Sequence, residues 1–399
     1  MSGKPIYAVG LDAGSRHTRM VICALERGWL RFLGGSIVES QGWLKGRITD
    51  QQAVADSLLS ALREAEAASG VSVESAVVGV GGPAIRGNSS RGYMEFEFVR
   101  EIEQRDVTRV LDRAMRVQLH EDRMLLQVFP QDFVIDDHPG HRDPRRMMAS
   151  RLEINTHIIT SSVQEHNALV GAVNQAHLLV EETCFEGLAA CHAAVRPEDR
   201  REGIAVIDIG AQSSEMVAYY GDAMHLAATV PICGDHVTRD LAQVLTLSFE
   251  EAELVKLEFG SAVASNCGEN VIVELPSPEG RPSRHASGRT VAEIIEWRVR
   301  ELFGFVRNEL ARVNMDRALI GGVFLTGAGA RLPGLCDIAE RELQCQARYG
   351  LPIGIRDWPE AMNDPEWAAA AGLAMYSATM KEQAAQQRET TGWIGKILR

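Results

Sequence analysis

An apolar strand that ends in aspartate, runs into a glycine turn and is followed by a second strand occurs twice in this chain, about half its length apart. Gly10-Leu11-Asp12-Ala13-Gly14 forms the first copy and Ile207-Asp208-Ile209-Gly210 the second. A unit repeated at that distance implies an internal duplication, with two α/β lobes that each carry the same kind of turn. The 399 residues leave room for two lobes, since one ordinary domain takes ~100–200.

Short β-like runs alternate with amphipathic helices over most of the length, the pattern of sheets covered by helices. Residues 6–9 and 20–24 read as strands. Asp50 reads as the N-cap of a helix that continues to about Ala68 and stops at Gly70, and 76–80 reads as the next strand. From about Ala84 to Ser161 the texture changes. A polar stretch at 86–91 leads to a helix carrying Val107, Val110, Leu111, Ala114 and Met115 at helical spacing, then to strands near 125–128, 133–135 and 152–160. This segment reads as a small inserted subdomain. A helix near 163–176 and a strand near 179–184 return to the first lobe.

Each aspartate turn puts a carboxylate and free backbone N–H groups at a hairpin mouth, a geometry suited to phosphate oxygens and hydrated Mg²⁺. Taken singly, either is an ordinary hairpin turn. A third element changes the weight: Phe324-Leu325-Thr326-Gly327-Ala328-Gly329-Ala330 is a strand running into a turn poor in side chains, where backbone can approach a ring or a ribose closely.

Composition sets limits. A formal net charge of -13 opposes broad attachment to nucleic acid, which needs a cationic footprint. The seven cysteines show no CxxC spacing and are odd in number, so thiols in a reducing cytosol are expected rather than a zinc site or a disulfide framework. The first residues show no h-region and no small-residue cleavage site, so secretion is not expected, and no apolar stretch reaches the ~20 residues of a spanning helix, so a membrane would be met from its surface.

The order of the three turns resembles the two phosphate loops and the adenosine loop of the superfamily that holds actin, DnaK-type chaperones and sugar kinases. In detail it is similar to the FtsA family of bacterial cell division. Gly42-Trp43-Leu44-Lys45-Gly46-Arg47-Ile48-Thr49-Asp50 resembles that family's Gly-basic-Gly-Ile-x-Asp signature, and Val128-Phe129-Pro130-Gln131-Asp132-Phe133-Val134-Ile135-Asp136 its Pro-Gln-acid-aromatic segment. Gly234-Asp235-His236-Val237-Thr238-Arg239-Asp240-Leu241-Ala242 resembles its Gly-x-x-Val-Thr-x-Asp-Ile-Ala helix, and 367–376 its closing Ala/Gly-rich helix.

The resemblance implies a two-lobed actin-like fold, ribonuclease H-like and duplicated, with the small subdomain inserted in the first lobe. Its divisions would be 1–84 with 162–197 (subdomain 1A), 85–161 (inserted 1C), 198–235 with 315–380 (2A), 236–314 (2B), and 381–399 as polar linker and C-terminal amphipathic helix. ATP and Mg²⁺ are the implied cofactors. Asp12 and Asp208 would hold Mg²⁺ through water. Gly14, Ser15, Gly210 and Ser213 would meet the phosphates, Glu253, Lys256, Gly327 and Gly329 the nucleoside. Glu186 falls where relatives orient the attacking water; read from sequence alone it is equally an acidic residue favoured by a helix N-terminus.

This chain departs from the family pattern in its second loop. Gly210-Ala211-Gln212-Ser213-Ser214-Glu215 stands where Gly-Gly-Gly-Thr-x-Asp is usual, and Ala328 replaces a glycine. A Cβ at positive φ costs ~1 kcal/mol or more, whereas at negative φ it is tolerated. ATP binding with at most slow hydrolysis is expected.

The resemblance further implies an adaptor that forms filaments with itself, binds the C-terminal tail of the tubulin-like division polymer FtsZ, helps recruit later division proteins, and sits on the cytoplasmic face of the membrane. Arg298 and Arg300, on a helix resembling the one beside the family's FtsZ site, would pair with carboxylates of that tail. In the tail of this chain Trp393, Ile394, Ile397 and Leu398 share one helical face flanked by Lys396 and Arg399, suited to anionic lipid. The rival readings are a PilM-type pilus-assembly ATPase and, from another class, a small-molecule kinase; no acceptor-activating site is visible for the latter.

Overall fold

The computed structural model describes residues 5–26, 28–268, 270–275 and 284–397, with side chains of the last helix described to Ala385. Two mixed sheets form the centres of the two lobes. The first has the order Leu179–Phe185, Ser75–Val80, Ile6–Ala13, His17–Glu26, Trp29–Glu39 and Ile355–Arg356. The second has the order Ala223–Val230, Ser214–Tyr220, Ile204–Ile209, Gly322–Thr326 and Ala347–Tyr349. In each, the strand ending in the key aspartate pairs antiparallel with the strand after it and parallel with a strand from much later in the chain. The duplication inferred from the sequence is therefore a duplication of topology.

Nine α-helices are described: α1 Gln51–Ser69, α2 Gln104–Met115, α3 Val163–Gln175, α4 Glu186–Ala194, α5 Gly234–Leu245, α6 Phe249–Phe259, α7 Gly288–Arg312, α8 Leu335–Leu343 and α9 Ala368–Ile397. Val54, Ala55, Leu58, Ala61, Leu62 and Ala65 put an apolar stripe of α1 against the first sheet. The Asp50 side chain accepts from Ala53 N–H, and Gly70 takes the left-handed conformation that ends the helix, as its sequence predicts. Helices α4 and α9 cross so closely that a Cβ on Gly372 would collide with the Ala189 carbonyl.

A third sheet, ordered Arg86–Glu101, Met148–Ser162, Arg123–Ile135 and His138–His141, carries α2 on one face. Its core gathers Val110, Ala114, Phe133, Ile135, Leu152 and Ile154. Two expectations are corrected here. The polar stretch 86–91 is the start of a 16-residue strand; it reads as polar because this is an edge strand with many exposed positions. The strands expected near 125–128 and 133–135 are one, Arg123–Ile135. Pro130, which lacks an N–H, is accommodated because the register shifts there and Gln131 bulges out. The bulge frees the Gln131 side chain to donate to the Met224 carbonyl at 2.8 Å, docking the insert on the outer strand of the second lobe.

The closing helix is also longer than expected. It does not end near Ala378 but runs to Ile397. The stretch 381–391 holds Lys, Glu, Gln, Ala, Arg and two Thr and no Gly or Pro, so nothing in it breaks a helix. Trp393, Ile394 and Ile397 lie on its backbone, with side chains outside the described residues; Leu398 lies wholly outside them. Among the described residues no helix is long and apolar enough to cross a membrane. All seven cysteines are free thiols.

Candidate functional site

The two aspartate hairpins and the glycine turn after Gly322–Thr326 open onto one cavity of about 810 Å³ between the lobes. That volume lies within the ~300–1,000 Å³ of small-molecule sites. Glycine is required at the turns by contact. A Cβ on Gly14 would stand 2.6 Å from the His17 carbonyl, one on Gly210 2.8 Å from the Ser213 carbonyl, and one on Gly327, at φ 80, would collide with the Asp208 carboxylate. Ala211, Gln212, Ser213 and Ala328 are absent from the residues at positive φ, so the extra side chains of the second and third turns carry no backbone strain.

Asp12, Gly14, Ser15, Glu186, Asp208, Gly210, Ser213, Glu253, Lys256, Gly327 and Gly329 all line this cavity. The first N–H groups of α5 donate to the carbonyls of Gly210 and Ala211, at 3.0 and 2.8 Å, which seats the helix under the second turn. Glu253 and Lys256 are not a solvated surface couple. They pair at 2.7 Å with little exposure, and Lys256 also donates to the Thr238 hydroxyl at 2.8 Å.

Arg298 and Arg300 part company. Arg298 lines the cavity and is held in a two-pronged pair by Asp240, at 2.6 and 2.8 Å. Arg300 points away, half-exposed, to Glu342 at 3.0 Å. The two do not form one basic surface.

Four carboxylates, Asp12, Glu186, Asp208 and Glu215, share one end of the cavity. Burial pushes Asp12 up to about 6, an effect opposed by the Arg19 guanidinium, and pushes Glu215 up to about 7. Glu186 and Asp208 are driven well above the usual carboxylate range, first by burial and then by the charges of their carboxylate neighbours. Among the described residues no three acidic, histidine or cysteine side chains converge tightly enough to hold a bare metal ion.

Several residues of the site escaped sequence reasoning. Glu215 is buried and accepts the Gly82 N–H at 2.8 Å. Arg19, also buried, stands 3.8 Å from Asp12 and 2.8 Å from Glu366. Gly81 faces the Glu186 carboxylate so closely that a Cβ there would collide with it. Gln212 accepts the Gly46 N–H at 2.9 Å, joining the loop before α1 to the second lobe. The run Gly79-Val80-Gly81-Gly82 at the end of a strand was the available signal for a further turn of this kind.

Comparison with known proteins agrees with this geometry. The family described as cell division protein FtsA matches residues 205–372, and the SHS2 domain inserted in FtsA matches 82–160. Cell division protein FtsA of Pseudomonas aeruginosa is 31% identical over 376 residues, covering 94% of this chain and 89% of its own. That of Borreliella burgdorferi is 32% identical over 373 residues, covering 92% and 90%. The chain belongs to the FtsA family. Among solved structures, the PilM-PilN type IV pilus biogenesis complex aligns with TM-score 0.68 at 16% identity, over 93% of this chain and 98% of that one. MreB5 of Spiroplasma citri bound to AMPPNP aligns with TM-score 0.57 at 12% identity, over 96% and 98%. At such identities these show the fold alone: two-lobed and actin-like, with the FtsA insert in the first lobe. The likeness to PilM is one of fold, and the identity to FtsA decides the family.

Proposed function

We propose that this FtsA-family chain is an ATP-dependent adaptor that joins the FtsZ polymer to the cytoplasmic face of the membrane. The observation that carries the nucleotide reading is the convergence of three glycine turns and four mutually repelling carboxylates on one interlobe cavity. Such a donor set asks for a cation. Because the carboxylates do not close into a direct ligand shell, hydrated Mg²⁺ held through water by Asp12 and Asp208 fits better than a bare ion. When bound, Mg²⁺ would neutralise phosphate charge. Gly14, Ser15, Gly210 and Ser213 hold the phosphates through N–H and hydroxyl donors, while Glu253, Lys256, Gly327 and Gly329 form the nucleoside end. Glu186 orients water at the phosphate end, and slow turnover keeps ATP as a conformational ligand.

The membrane half rests on the tail. An interfacial helix gains only part of the ~1.5–3 kcal/mol available from each of Trp393, Ile394, Ile397 and Leu398, so a single tail holds weakly. Filaments that place many tails on one surface raise avidity ~10²–10⁴-fold. Arg300, half-exposed on α7, remains the better placed of the two arginines to meet an acidic FtsZ tail.

Sedimentation with anionic vesicles, Mg·ATP and FtsZ tests this reading. The full chain is expected to carry FtsZ into the pellet, and removal of 392–399 to abolish this without weakening ATP binding. FtsZ left in the supernatant by the full chain contradicts the adaptor role, and undiminished pelleting by the truncated chain contradicts the anchor.

A further inference from the structure

One residue of the first lobe is held by the second at both its N–H and its carbonyl. Glu215 accepts the Gly82 N–H at 2.8 Å, and the Thr229 hydroxyl donates to the Gly82 carbonyl at 2.9 Å. Glu215 and Thr229 are direct partners across the Ser214–Tyr220 and Ala223–Val230 ladder, so the grip is built on a rigid element. Glycine is needed at its target: Gly82 has φ 89 and its Cβ would stand 3.0 Å from the Gly46 carbonyl.

The turn that is gripped has two neighbours. On one side lies the cleft, since Gly81 is wedged against the carboxylates of Glu186 and Glu215. On the other, four residues beyond Gly82, the inserted sheet begins with the strand Arg86–Glu101. Arg123 staples that junction by donating to the carbonyls of Ala84 and Thr160. The insert meets the same second-lobe strand that carries Thr229, through Gln131 to Met224 and at Gly87, whose Cβ would collide with the Ala227 carbonyl.

We propose that Glu215 and Thr229 are positioning residues whose two-ended hold on Gly82 couples occupation of the cleft to the seating of the inserted subdomain on the second lobe. This rests on the cleft being the Mg·ATP site. Glu215 faces that cavity, whereas Thr229 is not among the residues lining it and its hydroxyl donates to the Gly82 carbonyl, so the hold can be cut without changing a side chain that lines the cavity.

Hydrogen–deuterium exchange of the full chain, with and without Mg·ATP, tests the coupling. Binding of Mg·ATP is expected to slow exchange across 86–101 by about threefold or more in the wild type and in Thr229→Ser, which keeps the hydroxyl. In Thr229→Val, and in the smaller Thr229→Ala, that ligand-dependent change is expected to vanish while calorimetry shows nucleotide affinity within about threefold of wild type. A wild type that binds Mg·ATP without altering exchange in the insert overturns the coupling alone, as does a Thr229→Val or Thr229→Ala response equal to wild type. A wild type that fails to bind Mg·ATP overturns the cleft reading and the coupling with it.

Discussion

The two aspartate hairpins are alike in topology and unlike in charge. In the first lobe Asp12 lies across the ladder from Arg19; in the second, Asp208 lies across from Glu215. The position seven residues after the aspartate thus carries a guanidinium in one copy and a carboxylate in the other. Arg19 partly offsets the burial of Asp12 and reaches Glu366 as well, so the first hairpin is neutralised internally. The second has no cation across its own ladder: besides burial, the charges of Glu215 and Asp12 drive Asp208 upward, against a smaller pull from the more distant Arg19 and the Thr326 hydroxyl. Duplication supplied the frame, and divergence at one register position made one half self-sufficient and left the other short of positive charge. That asymmetry is the physical basis for placing a cation nearer the second hairpin.

Stability should separate the halves most strongly. Arg19→Met leaves Asp12 buried without its guanidinium and deprives Glu366 of its closer one, and is expected to cost about 3 kcal/mol in urea unfolding of the ligand-free protein. Glu215→Gln keeps the acceptor for Gly82 while deleting a repelling charge, and is expected to leave stability unchanged or raised. Similar losses in both variants would erase the asymmetry.

The third turn serves the second hairpin. Gly327→Ala forces a Cβ into the Asp208 carboxylate at positive φ. A loss of about 30-fold in Mg·ATP affinity by calorimetry is expected, the size of one charged contact. Retained affinity would show that Asp208 can shift without consequence.

The pH dependence follows from the same groups. Asp12 at about 6 and Glu215 at about 7 are raised above their unfolded values near ~4. Their contribution to stability is therefore complete below about pH 4 and is lost as pH rises through 6 and 7. The melting temperature of ligand-free protein should fall across that window. Glu215→Gln should remove the upper part of the fall, and Mg·ATP should flatten it. Superimposable wild-type and Glu215→Gln profiles would remove Glu215 from the account.

The smallest effect is expected at the loop that bridges the lobes. Gln212→Gly removes the acceptor for Gly46 and should speed release of a fluorescent ATP analogue about two- to threefold, since one neutral hydrogen bond contributes ~0.5–1.5 kcal/mol. An unchanged rate would show that this link carries no load in nucleotide retention.

The glycine turns were legible because close approach of backbone leaves a residue-type signature that survives without coordinates. The capped helix α1 was legible for a similar reason, with Asp50 and Gly70 marking its ends. Arg19 and Glu215 were not, because their meaning depends on strand register, which no local pattern of residues reports. The strand Arg86–Glu101 hid behind its polar composition, since an edge strand with an open face need not be apolar. Gln131 could be tied to a family motif, yet its role appears only once the bulge at Pro130 turns it toward Met224.

The claim that the second hairpin receives the cation is tested most directly by titrating Mg·ATP calorimetrically into Asp12→Asn and Asp208→Asn side by side. Asp208→Asn is expected to lose about 100-fold in affinity and Asp12→Asn about 10-fold, because Arg19 already answers much of the charge of Asp12. Equal losses, or a greater loss in Asp12→Asn, would contradict the account.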